Sequence, residues 1–301
     1  MLSLFGPTLI DLGINVAANI LAALILGICA LAVLSAYRSR GVKKFFGVSS
    51  GSASMKIFLS TIAVQPRGTM GTAGIVQGFY GDAMTEVEYR HALRFASLLR
   101  SGSAAWIFTT ILGTRAGADS VASTIERSPS FRQNSRNARD EVKYDTAAIS
   151  AKLREQDCTV LIGGPIYNLL THHILEPRPE DPRYRSRFFE FIREFDATGS
   201  PIRGIRTLPG VTTEDFLRST ERDYFIVSRV TIDRSKRVFI CAGTCTCATA
   251  AAVDELLDWR QYTKFGDKDF GVLYRIHLPK RDGIRESEPA EAIAIEPLRE
   301  F

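Results

Sequence analysis

The longest uninterrupted apolar stretch is INVAANILAALILGICALAVLSAY, Ile14 to Tyr37, with no charged residue in 24 positions. At about 1.5 Å per residue, a helix of that length crosses a hydrocarbon core of roughly 30 Å. It has no polar face, as an amphipathic helix of a soluble core would have. The pattern predicts a transmembrane helix over 14–37. Only Asp11 precedes it, whereas Arg38, Arg40, Lys43 and Lys44 follow it. A cleavable secretory leader carries its cations ahead of the apolar run. The opposite bias predicts a short outer N-terminus, residues 1–13, and a cytoplasmic C-terminal part.

Beyond residue 54 the pattern changes in kind. Short runs rich in β-branched residues (55–64, 106–112, 158–162, 202–207, 224–232, 237–242, 271–278) alternate with stretches of helical period (86–100, 147–156, 188–195, 212–219, 249–259). Only DRSK separates 224–232 from 237–242, which predicts an antiparallel hairpin. The alternation predicts an α/β fold over 55–301. Its sheet is mostly parallel, with helices on both faces and an antiparallel piece near the C-terminus. Residues 113–146 are polar with weak periodicity and read as an insertion; 280–292 read as a loop leading to a final strand in AIAIEPL. Residues 38–54, rich in Gly and Ser after their cations, read as a juxtamembrane linker. Lys43 and Lys44 are then expected near anionic headgroups, and Phe45 and Phe46 at the lipid interface.

Composition narrows the function classes. With 45% hydrophobic residues the chain is not of the disordered class, and a net charge of +5 with the two signs interspersed gives no reason to expect a nucleic-acid partner. Asn15 and Asn19 lie one helical turn apart, and Ala18, Ala22, Ala23 and Gly27 give small-xxx-small spacings, so the membrane helix is expected to self-associate. The expected partners are therefore lipid, further copies of the chain and a small molecule. In a reducing cytoplasm Cys158, Cys241, Cys245 and Cys247 are expected to be free.

In an open α/β sheet, ligands bind beyond the carboxyl ends of the strands, where loops lead into helix N-termini. Three Gly-rich loops qualify. The first follows 55–64, with Gly68, Thr69 and Gly71, and Ser60 precedes it. The second is GGPIYN, with Gly163, Gly164, Pro165 and Asn168. The third is AGTCTCAT, with Gly243, Thr244 and Thr246. None is a P-loop or a dinucleotide fingerprint, so the expectation rests on their convergence on one rim. Cys241, Cys245 and Cys247 lack the second ligand pair of a structural zinc site. A Cys-x-Cys opening a helix would also have to unwind that turn to chelate, so no metal and no cofactor are expected and the thiols read as small turn residues. Glu86 and Glu88 open the helix after the first loop. Either could compensate the helix dipole or act as nucleophile or general base on a nucleoside.

KIFLS at Lys56 to Ser60, VLIGGPIYN at Val160 to Asn168 and FICAGTCTCATAAA at Phe239 to Ala252 together resemble a group of bacterial membrane-anchored proteins with Rossmann-like nucleotide-recognising domains. These are the SLOG, CARF, TIR and nucleoside deoxyribosyltransferase-like domains of nucleotide-signalling and antiphage systems. The chain lacks the SLOG-type Gly-Gly-x-Gly-Thr turn and the transferase-like Asp-x-Gly-Thr segment, so the resemblance carries over no catalytic residue. It implies a Rossmann-like domain tethered to the inner membrane that senses a nucleotide-like ligand through oligomerisation or membrane perturbation. A nucleoside- or NAD-cleaving enzyme using Glu86 or Glu88, and a purely structural anchor, are the alternatives.

Overall fold

The computed structural model describes residues 16–24, 26–27, 30, 40–48, 55–60, 62–64, 81–83, 86–100, 125–128, 146–175, 188–195, 201–208, 213–233, 236–278 and 294–301. The strands are β1 Met55–Leu59, β2 Ile62–Val64, β3 Gly81–Ala83, β4 Ile125–Arg127, β5 Cys158–Ile162, β6 Phe189–Phe195, β7 Pro201–Thr207, β8 Asp215–Leu217, β9 Arg222–Ile232, β10 Lys236–Gly243, β11 Phe270–His277 and β12 Ala294–Glu300. The helices are α1 Glu86–Arg100, α2 Thr146–Arg154, α3 Leu169–Leu175 and α4 Thr246–Leu257, with a 3-10 helix at Trp259–Phe265. A further helix covers residues 40–46.

The main sheet runs β12-β11-β9-β10-β5-β1-β4. β10, β5, β1 and β4 are parallel, while β9, β11 and β12 are added antiparallel, so the sheet is α/β and mixed. The hairpin expected around DRSK is β9–β10. Alternation along each strand divides the core. Ile57, Leu59, Val160, Ile162, Phe239 and Cys241 face α1, α4 and the helix at 40–46. Phe58, Leu161, Val238 and Ile240 face α2, α3 and a second, three-stranded sheet, β6-β7-β8. Both faces are therefore covered, which is why these strands read as continuous apolar runs.

Four sequence expectations are corrected. FEFIREF is strand β6, because Phe189 and Phe191 alternate into the core while Glu190 and Glu194 stay out of it. A helix over 212–219 is replaced by the short edge strand β8, in which Phe216 is buried and Asp215 forms a paired bond to Arg206. The polar segment 113–146 contains β4, which pairs in parallel with β1 at the sheet edge. Finally, Phe45 and Phe46 do not lie at a lipid interface. They are 6% and 0% exposed, with the Phe46 ring 4.7 Å from that of Phe239 and 5.4 Å from that of Phe95. Arg237 ties this helix down by donating to the carbonyls of Lys44 and Phe45 at 3.0 and 2.7 Å.

Of the apolar run 14–37, the described residues 16–24, 26–27 and 30 are helical, and Val16, Ile20, Leu21, Leu24 and Leu26 are 50 to 69% exposed. Among the described residues, no helix is long and apolar enough to cross a membrane.

Candidate functional site

At the carboxyl ends of β5 and β10 the chain turns twice within hydrogen-bonding distance of itself. Gly163 N–H donates to the Cys241 carbonyl at 2.9 Å. A Cβ on Gly164 would lie 3.1 Å from the carbonyl oxygen of Gly243. The second and third Gly-rich loops are thus adjacent, as two parallel neighbouring strands require. Gly163 has φ +115°, and a Cβ there would sit 1.6 Å from Ser60 Oγ, so the loop passes β1 only as glycine.

Between these loops, α1 and the second sheet lies a cleft of about 50 Å³. That is space for a few ordered waters, or for one polar group of a larger ligand. Of the residues singled out in the sequence, Gly164, Pro165, Gly243, Thr244 and Thr246 line it, and Glu88 of α1 forms a further wall, 4% exposed. Glu86 opens α1. Three expected residues lie elsewhere. Gly163 and Ser60 support the loop from behind, Ser60 Oγ donating to the Ile162 carbonyl at 3.3 Å. Asn168 is fully buried: its Nδ2 donates to the carbonyls of Phe58 and Ile162, and its Oδ1 accepts from the N–H groups of Leu170 and Thr171. Its amide caps α3 and joins two strand ends, leaving nothing for a ligand. Gly68, Thr69 and Gly71 lie outside the described residues.

The opposite wall went unrecognised in the sequence. Phe191 and Ile192 of β6 and Arg203 and Gly204 of β7 complete the cleft, with Ile166 and Tyr167 exposed at its mouth. The signal for β7 was present, but reading 188–195 as a helix removed the sheet that carries Arg203 to the site.

The thiols are arranged differently from their spacing. Cys241 points into the apolar core beneath α4, where burial pushes its thiol up, whereas Cys245 and Cys247 lie at the start of α4 with their sulfurs 2.8 Å apart. Chelation would not require unwinding, because Cys245 is the N-cap, in extended conformation (φ −144°, ψ 176°), and its sulfur accepts from Ala248 N–H at 3.4 Å. The Cys247 thiol is held below its ordinary value by the S–H of Cys245 and by Ala248 N–H, against the effects of burial and Asp223. That hydrogen bond and burial push Cys245 up. Asp223 sits beside them, fully buried. Burial raises its carboxyl, partly offset by the Cys245 thiol, Arg218 and Tyr224 N–H.

Helices α1 and α4, which form two walls, are locked together by Asp254, whose carboxylate meets His91 Nδ1 at 3.0 Å and Arg94 at 2.9 Å. No family model, no curated protein sequence and no solved structure matches this chain.

Proposed function

We propose that the cleft binds a nucleotide-like small molecule and that the chain is a membrane-anchored sensor or effector, with its α/β domain in the cytoplasm, in which binding alters self-association. One observation carries the reading: the Gly-rich loop after β5 and the Gly/Thr-containing loop after β10, at the carboxyl ends of adjacent parallel strands, converge with the α4 N-terminus and Arg203 on one cleft. That is the rim at which open α/β sheets hold ligands, and helix N–H groups with a guanidinium suit phosphate. Exposed Tyr167 offers a ring for a base to stack on. The helix at 40–46 directly follows the predicted span and shares its core with α4. A ligand that favours one arrangement of α4 would thereby bias the anchor. This assignment keeps the chain in the company of the nucleotide-signalling and antiphage domains it resembles.

The test is a thermal-shift screen of the full chain in detergent against linear and cyclic nucleotides. Stabilisation by at least one of them is expected, and a flat response to all of them defeats the reading.

Burial of Glu88 in the cleft wall favours one second reading, a nucleoside- or NAD-cleaving enzyme with Glu88 as nucleophile or base. Consumption of NAD or nucleosides by the chain, abolished in Glu88→Gln with ligand-induced stabilisation retained, would establish it.

A further inference from the structure

We propose that Asp223, Cys245 and Cys247 form a binding site for a thiophilic divalent cation of the Zn²⁺ class, set against the cleft. The three ligand atoms, one carboxylate oxygen and two sulfurs, all lie within 4.8 Å of one another and come from two elements, β9 and the first turn of α4. The β9–β10 register brings them together. Gly243 pairs with Phe225 and Thr244 N–H donates to the Tyr224 carbonyl, so the next residue, Cys245, falls opposite Asp223.

Asp223 supplies the independent observation. It is 0% exposed; its Oδ1 accepts from Tyr224 N–H at 2.8 Å, the Cys245 thiol lies beside the carboxylate, and the buried Oδ2 makes no well-formed hydrogen bond among the described residues. Arg218 Nε approaches that oxygen only to 3.5 Å. A buried carboxylate whose second oxygen has only this loose ion pair, and which faces two thiols, keeps a lone pair able to ligate a metal. Two sulfurs and one carboxylate form a donor set that selects zinc over magnesium or calcium.

Binding would form two Zn–S bonds and one Zn–O bond and release both thiol protons to solvent. The sulfurs would part from 2.8 Å to about 3.8 Å, the edge of a tetrahedron with Zn–S of about 2.3 Å. Three protein ligands leave a fourth position for water or ligand. Because Cys245 also lines the cleft, the cation borders the space where a phosphate-bearing ligand would sit. The cation would deepen the nucleotide reading, but its own detection needs no nucleotide, so either can fail without the other.

The full chain, reduced and stripped with chelator, is titrated with Zn²⁺ alone and separately with Co²⁺. One Zn²⁺ per chain and a thiolate-to-cobalt charge-transfer band are expected. Cys245→Ser and Cys247→Ser each cut the band to half or less and the double variant abolishes it, and Asp223→Asn weakens zinc binding roughly tenfold or more. Should those variants misfold, the unmutated chain still decides the matter: Zn²⁺ is expected to slow alkylation of Cys245 and Cys247, mapped by mass spectrometry. Failure of the reduced chain to retain Zn²⁺, absence of protection at these two cysteines, or undiminished zinc binding by folded cysteine variants would each overturn the proposal.

Discussion

A Cβ on Gly243 would meet the Ala248 carbonyl carbon, Ala248 Cβ and Thr249 N, each at 2.5 Å. Those atoms belong to the first turns of α4, so any side chain at Gly243 pushes the helix away before it can meet a ligand. A charge test of the anion reading therefore belongs one turn position further on. Thr246 is the first residue of α4, lines the cleft and is only half-buried, and the first turn carries no acidic residue. An aspartate there is compatible with the helix dipole, so Thr246→Asp should change stability by less than about 1 kcal/mol while repelling phosphate. The expected result is a near-parental melting temperature with nucleotide stabilisation lost; Gly243→Asp should lower the melting temperature without any ligand. Stabilisation retained in a well-folded Thr246→Asp would place the phosphate elsewhere. At this scale the sequence was partly misleading. Asn168 reads as a ligand donor and proves to be a cap, because a buried amide satisfies the backbone before it can serve anything else.

The helix at 40–46 shows how local composition can hide an element. Cations and Gly/Ser residues surround Phe45 and Phe46, and only the packed structure reveals that both rings complete the core beneath β10 and α4. Phe46→Ala should cost about 3–5 kcal/mol, as fully buried phenylalanines do. Urea denaturation measures this, and a loose linker would register no change. The strand β8 is held less firmly. Asp215 receives two bonds from Arg206, Nε to Oδ1 at 2.6 Å and the second terminal nitrogen to Oδ2 at 2.9 Å. These hold its carboxyl below the ordinary range. A carboxyl depressed by folding stabilises fully above its unfolded pKa, near 4 by reference values, and loses that contribution as pH falls through the lower folded value. The pair is solvent-exposed, so the effect should stay under about 1 kcal/mol. The protection factor of the Phe216 amide, its exchange rate normalised to the intrinsic rate at each pH, should fall as the medium is acidified below about pH 4, and Asp215→Asn should remove that acid dependence. An exchange profile unaffected by the substitution would mean that β8 is held by Phe216 alone.

For the whole molecule, the legible part was whatever depends on period and strand ends. Continuous apolar runs predicted strands buried on both faces, and of the three Gly-rich loops predicted to share a rim, those after 158–162 and 237–242 do, the first lying outside the described residues. Long-range pairing was not legible: nothing local announces that β6–β8 will form the far wall of the cleft, or that Asp223 will stand opposite Cys245. The relation of the domain to a membrane rests on the run 14–37, whose described residues are helical with exposed apolar side chains. Exposed leucine and isoleucine on a helix call for a covering, and lipid supplies one without ordering a protein partner. In membranes from cells making the full chain, alkaline carbonate should leave it in the pellet, and deleting 14–37 should release it. Ala18 and Ala22 share a helix face, while Ile20 points about 200° away from Ala18. In reconstituted vesicles of a Cys29→Ser chain, Ala18→Cys should therefore crosslink between copies under mild oxidation and Ile20→Cys should not. Extraction of the intact chain would remove the anchor, and equal crosslinking at both positions would remove the small-residue interface while leaving the anchor in place.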